Sequence, residues 1–395
     1  MLGAVAFRRS ELGRTSYKAL EFALASFTRP VLAPKRVQTS PAVAPCRRSS
    51  SLRVAAGRKG LPDVGTKRAV SGGIMANMTD TEKYLFDLNG FLIVRGVLSP
   101  AEVAQANASI DARQAEFKTR DDRDLRNTKD GTPLAGDGVT PRKDLGGFMG
   151  WPSPDGDVFR KMLAHPKLVP YLNELCGSGY RLDHMPLLLA GDKGSEGFSL
   201  HGGTINDKGE FVPYLAYQYS HGKMYNPLLA ASFSLVDHPK GSGGFVCIRG
   251  SHKANFPTPR VLIDGHDDLD GCLYQPETKA GDVVLFSEGT VHGATAWNLE
   301  YQRRLCLIRF APSTVAYGRA YSENAGRWPE AFYEHLTQEQ AAVLEPPYNV
   351  RLDRPTVSAA PGCEPHDGDS LQTEVSGRTL PKKEFDRTTF GTKYF

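Results

Sequence analysis

From about Tyr180 onward the sequence breaks into short apolar or alternating runs, at residues 185–190, 211–219, 229–236, 244–248, 283–286 and 303–310, with clusters of Gly, Asp, Asn and Pro between them. Runs this short with turn residues at their boundaries turn the chain back on itself repeatedly, which is the pattern of an antiparallel sandwich or barrel. The preceding part reads differently. Residues 80–87 have a helical pattern and residues 90–94 (Gly-Phe-Leu-Ile-Val) that of a strand. Ser99-Pro100-Ala101-Glu102 is a helix start, with a Ser cap, Pro at the first position and Glu three residues after the cap, and the helix is expected to run to about Phe117. Residues 158–176 are helical in period but broken near Pro166 and Pro170. Residues 120–141 read as a loop and 328–344 as a further helix. Helices first and strands after predict a mainly β, α+β layout with the N-terminal helices packed on one sheet.

Composition matters chiefly through where the charge lies. The net charge of +4 hides a leader, residues 1–75, with 14 Lys/Arg against only Glu11, Glu21 and Asp63, so the leader is +11 and the rest of the chain −7. A mildly acidic body argues against a nucleic-acid-binding surface. The leader is rich in Arg, Ser and Ala, with Arg47-Arg48-Ser49-Ser50-Ser51, and is expected to be a transit peptide for a plastid or mitochondrion. The alternative is a disordered tail, or a cytoplasmic protein starting at Met75 or Met78. No segment is expected to span a membrane, because the leader's one apolar stretch is short and contains Glu21. Order is expected over 79–345 as one domain, with a poorly ordered polar tail at 355–395. The six cysteines (Cys46, Cys176, Cys247, Cys272, Cys306, Cys363) form no C-x-x-C pair, which argues against a zinc site or a disulfide framework. Cys306, inside an apolar run, reads as a buried thiol.

Among ten histidines, His201 and His292 stand out, with Arg303 eleven residues after the second at the head of an apolar run. Two imidazoles and one carboxylate are the ligand set of non-haem Fe(II) oxygenases, and an arginine on a following strand can pair with the far carboxylate of 2-oxoglutarate. The carboxylate in such sites usually follows the first histidine by two residues, and here that position is Gly203. A scan of every histidine for His-x-Asp/Glu finds only His266-Asp267-Asp268, which reads as a solvated acidic loop. On residues alone, His201 reads also as a loop histidine and Arg303 as a surface-strand arginine.

The chain resembles the phytanoyl-CoA dioxygenase (PhyH-like) family over roughly residues 84–311. The resemblance is carried by Asn89-Gly-Phe-Leu-Ile-Val94, by Leu235-Val-Asp237 and by the loop Gly241-Ser-Gly-Gly-Phe-Val-Cys-Ile-Arg-Gly-Ser-His-Lys253. It continues in Gly281-Asp282-Val283-Val284-Leu285-Phe286 leading to Val291-His292-Gly293. It implies a double-stranded β-helix (jelly roll, cupin), iron on His201 and His292, and 2-oxoglutarate anchored by Arg303, with Arg304 on the opposite face. It implies an Fe(II)/2-oxoglutarate-dependent dioxygenase that uses O₂ to hydroxylate a small organic or lipid-like substrate, releasing succinate and CO₂. Gly203 leaves three readings of the third ligand: a halogenase with chloride in the vacated place, an ordinary hydroxylase completed by a carboxylate from elsewhere, such as Asp207 in the following turn, or by water, or an inactive binding barrel. Four further residues have blander readings. His184 is expected to be a packed histidine or pocket wall, His221 a turn residue and His252 a residue that orders its own loop. Tyr217 and Tyr219 read as one strand face, either lining the pocket or packed in the core.

Overall fold

The computed structural model describes residues 78–120, 132, 134–264, 271–317, 328–347, 354–360, 371–374, 384–385, 387–389 and 391. The chain divides between residues 67 and 68 into two units, and every described residue belongs to the second. The leader 1–75 and the motif at His266 lie outside the described residues.

The two helices expected first are set by their caps. In α1 (Asp80–Asn89) and α2 (Pro100–Asp111), Thr79 and Ser99 accept from the backbone N–H of Glu82 and Glu102, and those glutamates reach back to the cap N–H. Helix α2 stops six residues before the expected end because a single 3₁₀ turn, Gln114–Glu116, hands over to buried, extended Phe117. The proline-broken segment becomes α3 (Asp157–Lys161), a 3₁₀ turn at Met162–Ala164 and α4 (Val169–Cys176). Two short helices, α5 (Arg260–Ile263) and α6 (Gln338–Val343), come later.

The strands before the histidine pair are β1 (Phe91–Val94), β2 (Lys118–Thr119), β3 (Arg142–Leu145), β4 (Arg181–Leu182) and β5 (Leu187–Gly191). They are followed by β6 (Phe198–His201), β7 (Gln218–Ser220), β8 (Lys223–Tyr225), β9 (Leu229–Ser234), β10 (Gly244–Ile248) and β11 (Leu273–Tyr274). The last are β12 (Val283–Ser287), β13 (His292–Thr295), β14 (Arg303–Ala311), β15 (Thr356–Ala359) and β16 (Leu371–Glu374). The large sheet runs β1-β12-β9-β14-β5-β3-β2, with β4 also on β14, and the small sheet runs β11-β10-β13-β6. Successive strands β9, β10, β12, β13 and β14 alternate between the two antiparallel sheets. That back-and-forth winding makes a double-stranded β-helix, the jelly roll.

Alternation along β9 and β14 separates two interiors. Leu229, Ala231 and Phe233 of β9, with Cys306, Ile308 and Phe310 of β14, join Phe86, Ile110, Phe159 and Leu172 of the helices in the main core. Each such fully buried large side chain contributes about 1.5–3 kcal/mol. The other face of β14, bearing Arg303, Leu305, Leu307 and Arg309, lines a cavity between the sheets. The helices thus back the large sheet and leave the space between the sheets free for a ligand.

Three expectations need correction. Residues 211–219 are not a strand: Phe211 makes one bridge to Ile205, Pro213 interrupts any ladder, and only Gln218–Ser220 pairs, in a small hairpin with β8. Residues 328–344 are not one helix, because Thr337 caps a new start with Gln340 and leaves only a 3₁₀ turn at Glu330–Phe332 upstream. The 355–395 segment is not uniformly tail-like. Strands β15 and β16 pair, and Val357 is buried in the main core. Among the described residues no helix is long and apolar enough to cross a membrane.

Candidate metal centre

Strands β6 and β13 pair antiparallel in the small sheet, and their register places His201 directly opposite His292. Ninety-one residues of sequence separation therefore collapse to one cross-strand pair, with ring centroids 4.2 Å apart and tilted by 52°. Each ring is anchored the same way. Nδ1 of His201 lies 2.9 Å from Ser199 O, and Nδ1 of His292 lies 2.7 Å from Thr290 O. A carbonyl only accepts, so in the neutral ring Nδ1 carries the proton and Nε2 keeps its lone pair. Backbone carbonyls that hold the far nitrogen in this way fix a ligating histidine's tautomer and orientation. His292 is buried, edge-on to Phe286 at 4.7 Å, and burial with His201 beside it pushes its pKa down to about 3. It is neutral at physiological pH.

The third member of the cluster is Glu288, four residues before His292. Its Oε1 accepts from Arg309 Nε at 2.5 Å, and its Oε2 lies 3.7 Å from His292 Nε2. Burial alone would raise its pKa, but the Arg309 guanidinium outweighs this and holds the carboxyl down at about 2. One ligand atom each from His201, Glu288 and His292 lie within 4.8 Å of one another. Two bare imidazole nitrogens and an ionised carboxylate are all acceptors, so their convergence is unfavourable without a cation between them. The donor set, two nitrogens and one oxygen, fits a divalent ion of the iron type.

Arg303 lies on the same face of β14 as Arg309, since residues 303, 305, 307 and 309 alternate inward together. The cavity they line is about 260 Å³ and takes in His201, His292 and Arg303 along with Phe198, Phe245 and Phe286. Arg303 is only 5% exposed and its Nε has no hydrogen-bond partner. Burial, reinforced by neighbouring Arg142 and opposed by Asp144, pulls its pKa down to about 9. Asp144 is itself engaged, accepting from Arg142 Nε at 2.8 Å and Arg120 Nε at 2.5 Å. This end of the cavity is therefore rich in guanidinium groups and poor in carboxylates. Arg304 points away, as expected, to Asn107 and Asp111 of α2.

Gly203 and Asp207 line a second, outer cavity of about 460 Å³, which shares His201 with the first and is bounded by Lys208, Tyr214 and Tyr317. Among the described residues, Asp207 is not part of the cluster that converges on the two histidines. Three other histidines with expected roles are placed as follows. His252 Nε2 donates to Asp87 O at 3.0 Å and ties its loop to α1, His184 pairs with Asp183 and stacks on Tyr317, and His221 takes a positive φ of 53° in the β7–β8 turn. Tyr217 is core, with its hydroxyl on Asp87, and Tyr219 is exposed; neither lines the inner cavity. Glu288 and Arg309 were not singled out from the sequence. Glu288 is absent from any His-x-Asp pattern, but the period-two alternation from Arg303 could have flagged Arg309.

No protein-family model matches the chain, and no curated protein matches it in sequence. Among solved structures it is similar to HygX from Streptomyces hygroscopicus with nickel, 2-oxoglutarate and hygromycin B bound, at 24% identity and a TM-score of 0.47 over 61% of this chain and 90% of that one. It is also similar to SnoN, the non-heme alpha-ketoglutarate-dependent epimerase from nogalamycin biosynthesis, at 21% identity and a TM-score of 0.43 over 62% of this chain and 88% of that one. SnoK, the carbocyclase of the same biosynthesis, matches at 17% identity and a TM-score of 0.43 over 62% and 88% of the two chains.

Proposed function

We propose that the protein is an Fe(II)/2-oxoglutarate-dependent oxygenase of the PhyH-like kind, acting on a small organic or lipid-like substrate by hydroxylation. The observation that carries this is the His201–His292 pair, locked at both Nδ1 atoms, in one cavity with the buried, under-partnered guanidinium of Arg303. His201 and His292 would hold the iron through Nε2. When bound, iron supplies the redox chemistry that converts 2-oxoglutarate, O₂ and a C–H bond into succinate, CO₂ and a C–OH group. Arg303 would take the far carboxylate of 2-oxoglutarate, which gives its buried guanidinium a charge-assisted partner. Leu305, Leu307, Phe198 and Phe286 keep the space between anchor and histidines apolar, which strengthens that pairing. The outer cavity at Gly203 and Tyr214 shares His201 with the inner one and would receive the second substrate.

Anaerobic titration of the protein with Fe(II) and then 2-oxoglutarate tests the reading through the visible band of an iron-bound 2-oxo acid. The wild type should show the band, and Arg303→Met should weaken 2-oxoglutarate binding by at least on the order of 100-fold, as expected for loss of one partner of a buried charge pair. Absence of the band in the wild type sinks the proposal. Product mass with and without chloride separates hydroxylation from chlorination.

A further inference from the structure

We propose that Glu288, in the turn between β12 and β13 that runs beside the His201–Gly203 segment, supplies the carboxylate that completes the metal site, so that the missing side chain at Gly203 leaves no place for a halide. This rests on the iron reading above. The backbone shows how the transfer is possible. Gly203 N–H donates to Gly289 O at 3.0 Å, so the residue without a side chain runs alongside the segment that carries Glu288. Gly202 allows this approach, because a Cβ there would lie 2.9 Å from Glu288 O and 2.5 Å from Thr290 O. A carboxylate absent from the loop after β6 is thus supplied by the adjacent β12–β13 turn.

The orientation of Glu288 supports a ligand role over a purely structural one. Among the described residues, the hydrogen bond to its side chain is the one from Arg309, and it uses Oε1. Oε2 is turned instead toward His292 Nε2, an atom that the Thr290 carbonyl has left without a proton. A carboxylate kept only to neutralise Arg309 has no reason to present its second oxygen to a lone pair. A carboxylate that binds a cation through one oxygen and is steadied through the other has that arrangement. Arg309 is then a positioning residue. Asp207, in the outer cavity, plays no part in holding the metal.

The test is anaerobic calorimetric titration of Fe(II), without 2-oxoglutarate, into the full-length wild type, Glu288→Gln, Glu288→Asp and Asp207→Asn. Glu288→Gln keeps an acceptor for Arg309 and should melt close to the wild type in the apo state. Its Fe(II) affinity should fall by on the order of 100-fold, while Glu288→Asp retains part of it and Asp207→Asn binds as the wild type does. Wild-type affinity in Glu288→Gln, or loss in Asp207→Asn, overturns the assignment. Should Glu288→Gln fail to fold, the wild type decides: chloride added to the Fe(II)/2-oxoglutarate complex should leave its visible band unmoved, and a chloride-dependent shift overturns the proposal. A wild type that takes up no Fe(II) would instead overturn the oxygenase reading itself.

Discussion

Strand β14 carries two inward-facing arginines, and its two ends have solved the problem of a half-buried or buried guanidinium in opposite ways. At one end Arg309 meets Glu288 at 2.5 Å, and the pair is close to neutral. At the other, Arg303 is more deeply buried, has Arg142 among its neighbours and leaves Nε without a partner. Removing a charge from water without a matched partner is costly. A fold tolerates that cost where the missing partner arrives with a ligand, so the poorly matched end reads as the anion-binding end and the matched end as part of the permanent site.

The same substitution at both ends tests this contrast, and its largest effect is expected at the matched end. Arg309→Met should strand a buried carboxylate and destabilise the apo protein by about 3 kcal/mol, the cost of breaking a buried pair by removing one member. Urea denaturation at neutral pH measures it. A loss no larger than that of Arg303→Met would erase the distinction between the two ends.

What was legible in the sequence follows from how local the cause is. The Ser99 cap, the helix over 80–87, the break at Pro166 and the strands 229–234, 244–248 and 303–311 are each written in a few consecutive residues, and all appear close to where they were expected. His201, His292 and Arg303 could be named because a family resemblance had already paired them. Glu288 could not, because its role depends on Gly203 and Gly289 lying side by side, a relation between a loop and a turn far apart in sequence. Residues 211–219 failed for the converse reason: the apolar alternation was there, but Phe211 makes only an isolated bridge, Pro213 removes a donor, and pairing begins only at Gln218.

A second, smaller effect sharpens the Arg303 end. His238 is buried beside it, packed edge-on to Trp297 at 5.2 Å, with Nε2 unpartnered. Burial, and then the charge of Arg303, lower its pKa from 6.5 to about 3. The native state therefore keeps His238 neutral while the unfolded chain takes up a proton below about pH 6.5, so the stability this group contributes is complete above that pH and declines as pH falls toward 3. Comparing urea unfolding of the wild type and His238→Phe from pH 7.5 to 5 should show the wild type losing an additional one proton's worth, about 1.4 kcal/mol per pH unit once below 6.5. Parallel profiles for the two proteins would mean that His238 is not held neutral.

The smallest stability effect is expected at Arg303 itself, and it is the most discriminating. Met fills much the same volume as the arginine stem, and the head group it removes was buried without a full set of partners. Replacing a buried charge of that kind by an apolar residue is neutral or stabilising, so Arg303→Met should leave apo stability unchanged or raise it by about 1 kcal/mol. It should also let the pKa of His238 recover part of the way toward 6.5, because the second cause of its depression is gone. The decline of stability with acid should then begin at a similar pH but end sooner. The same variant is the one expected to lose 2-oxoglutarate, so stability and binding should move independently or in opposite directions. If Arg303→Met instead unfolds the protein as readily as Arg309→Met, its guanidinium already has a partner in the fold, and the anion-binding end must be sought among Arg120 and Arg142 around Asp144.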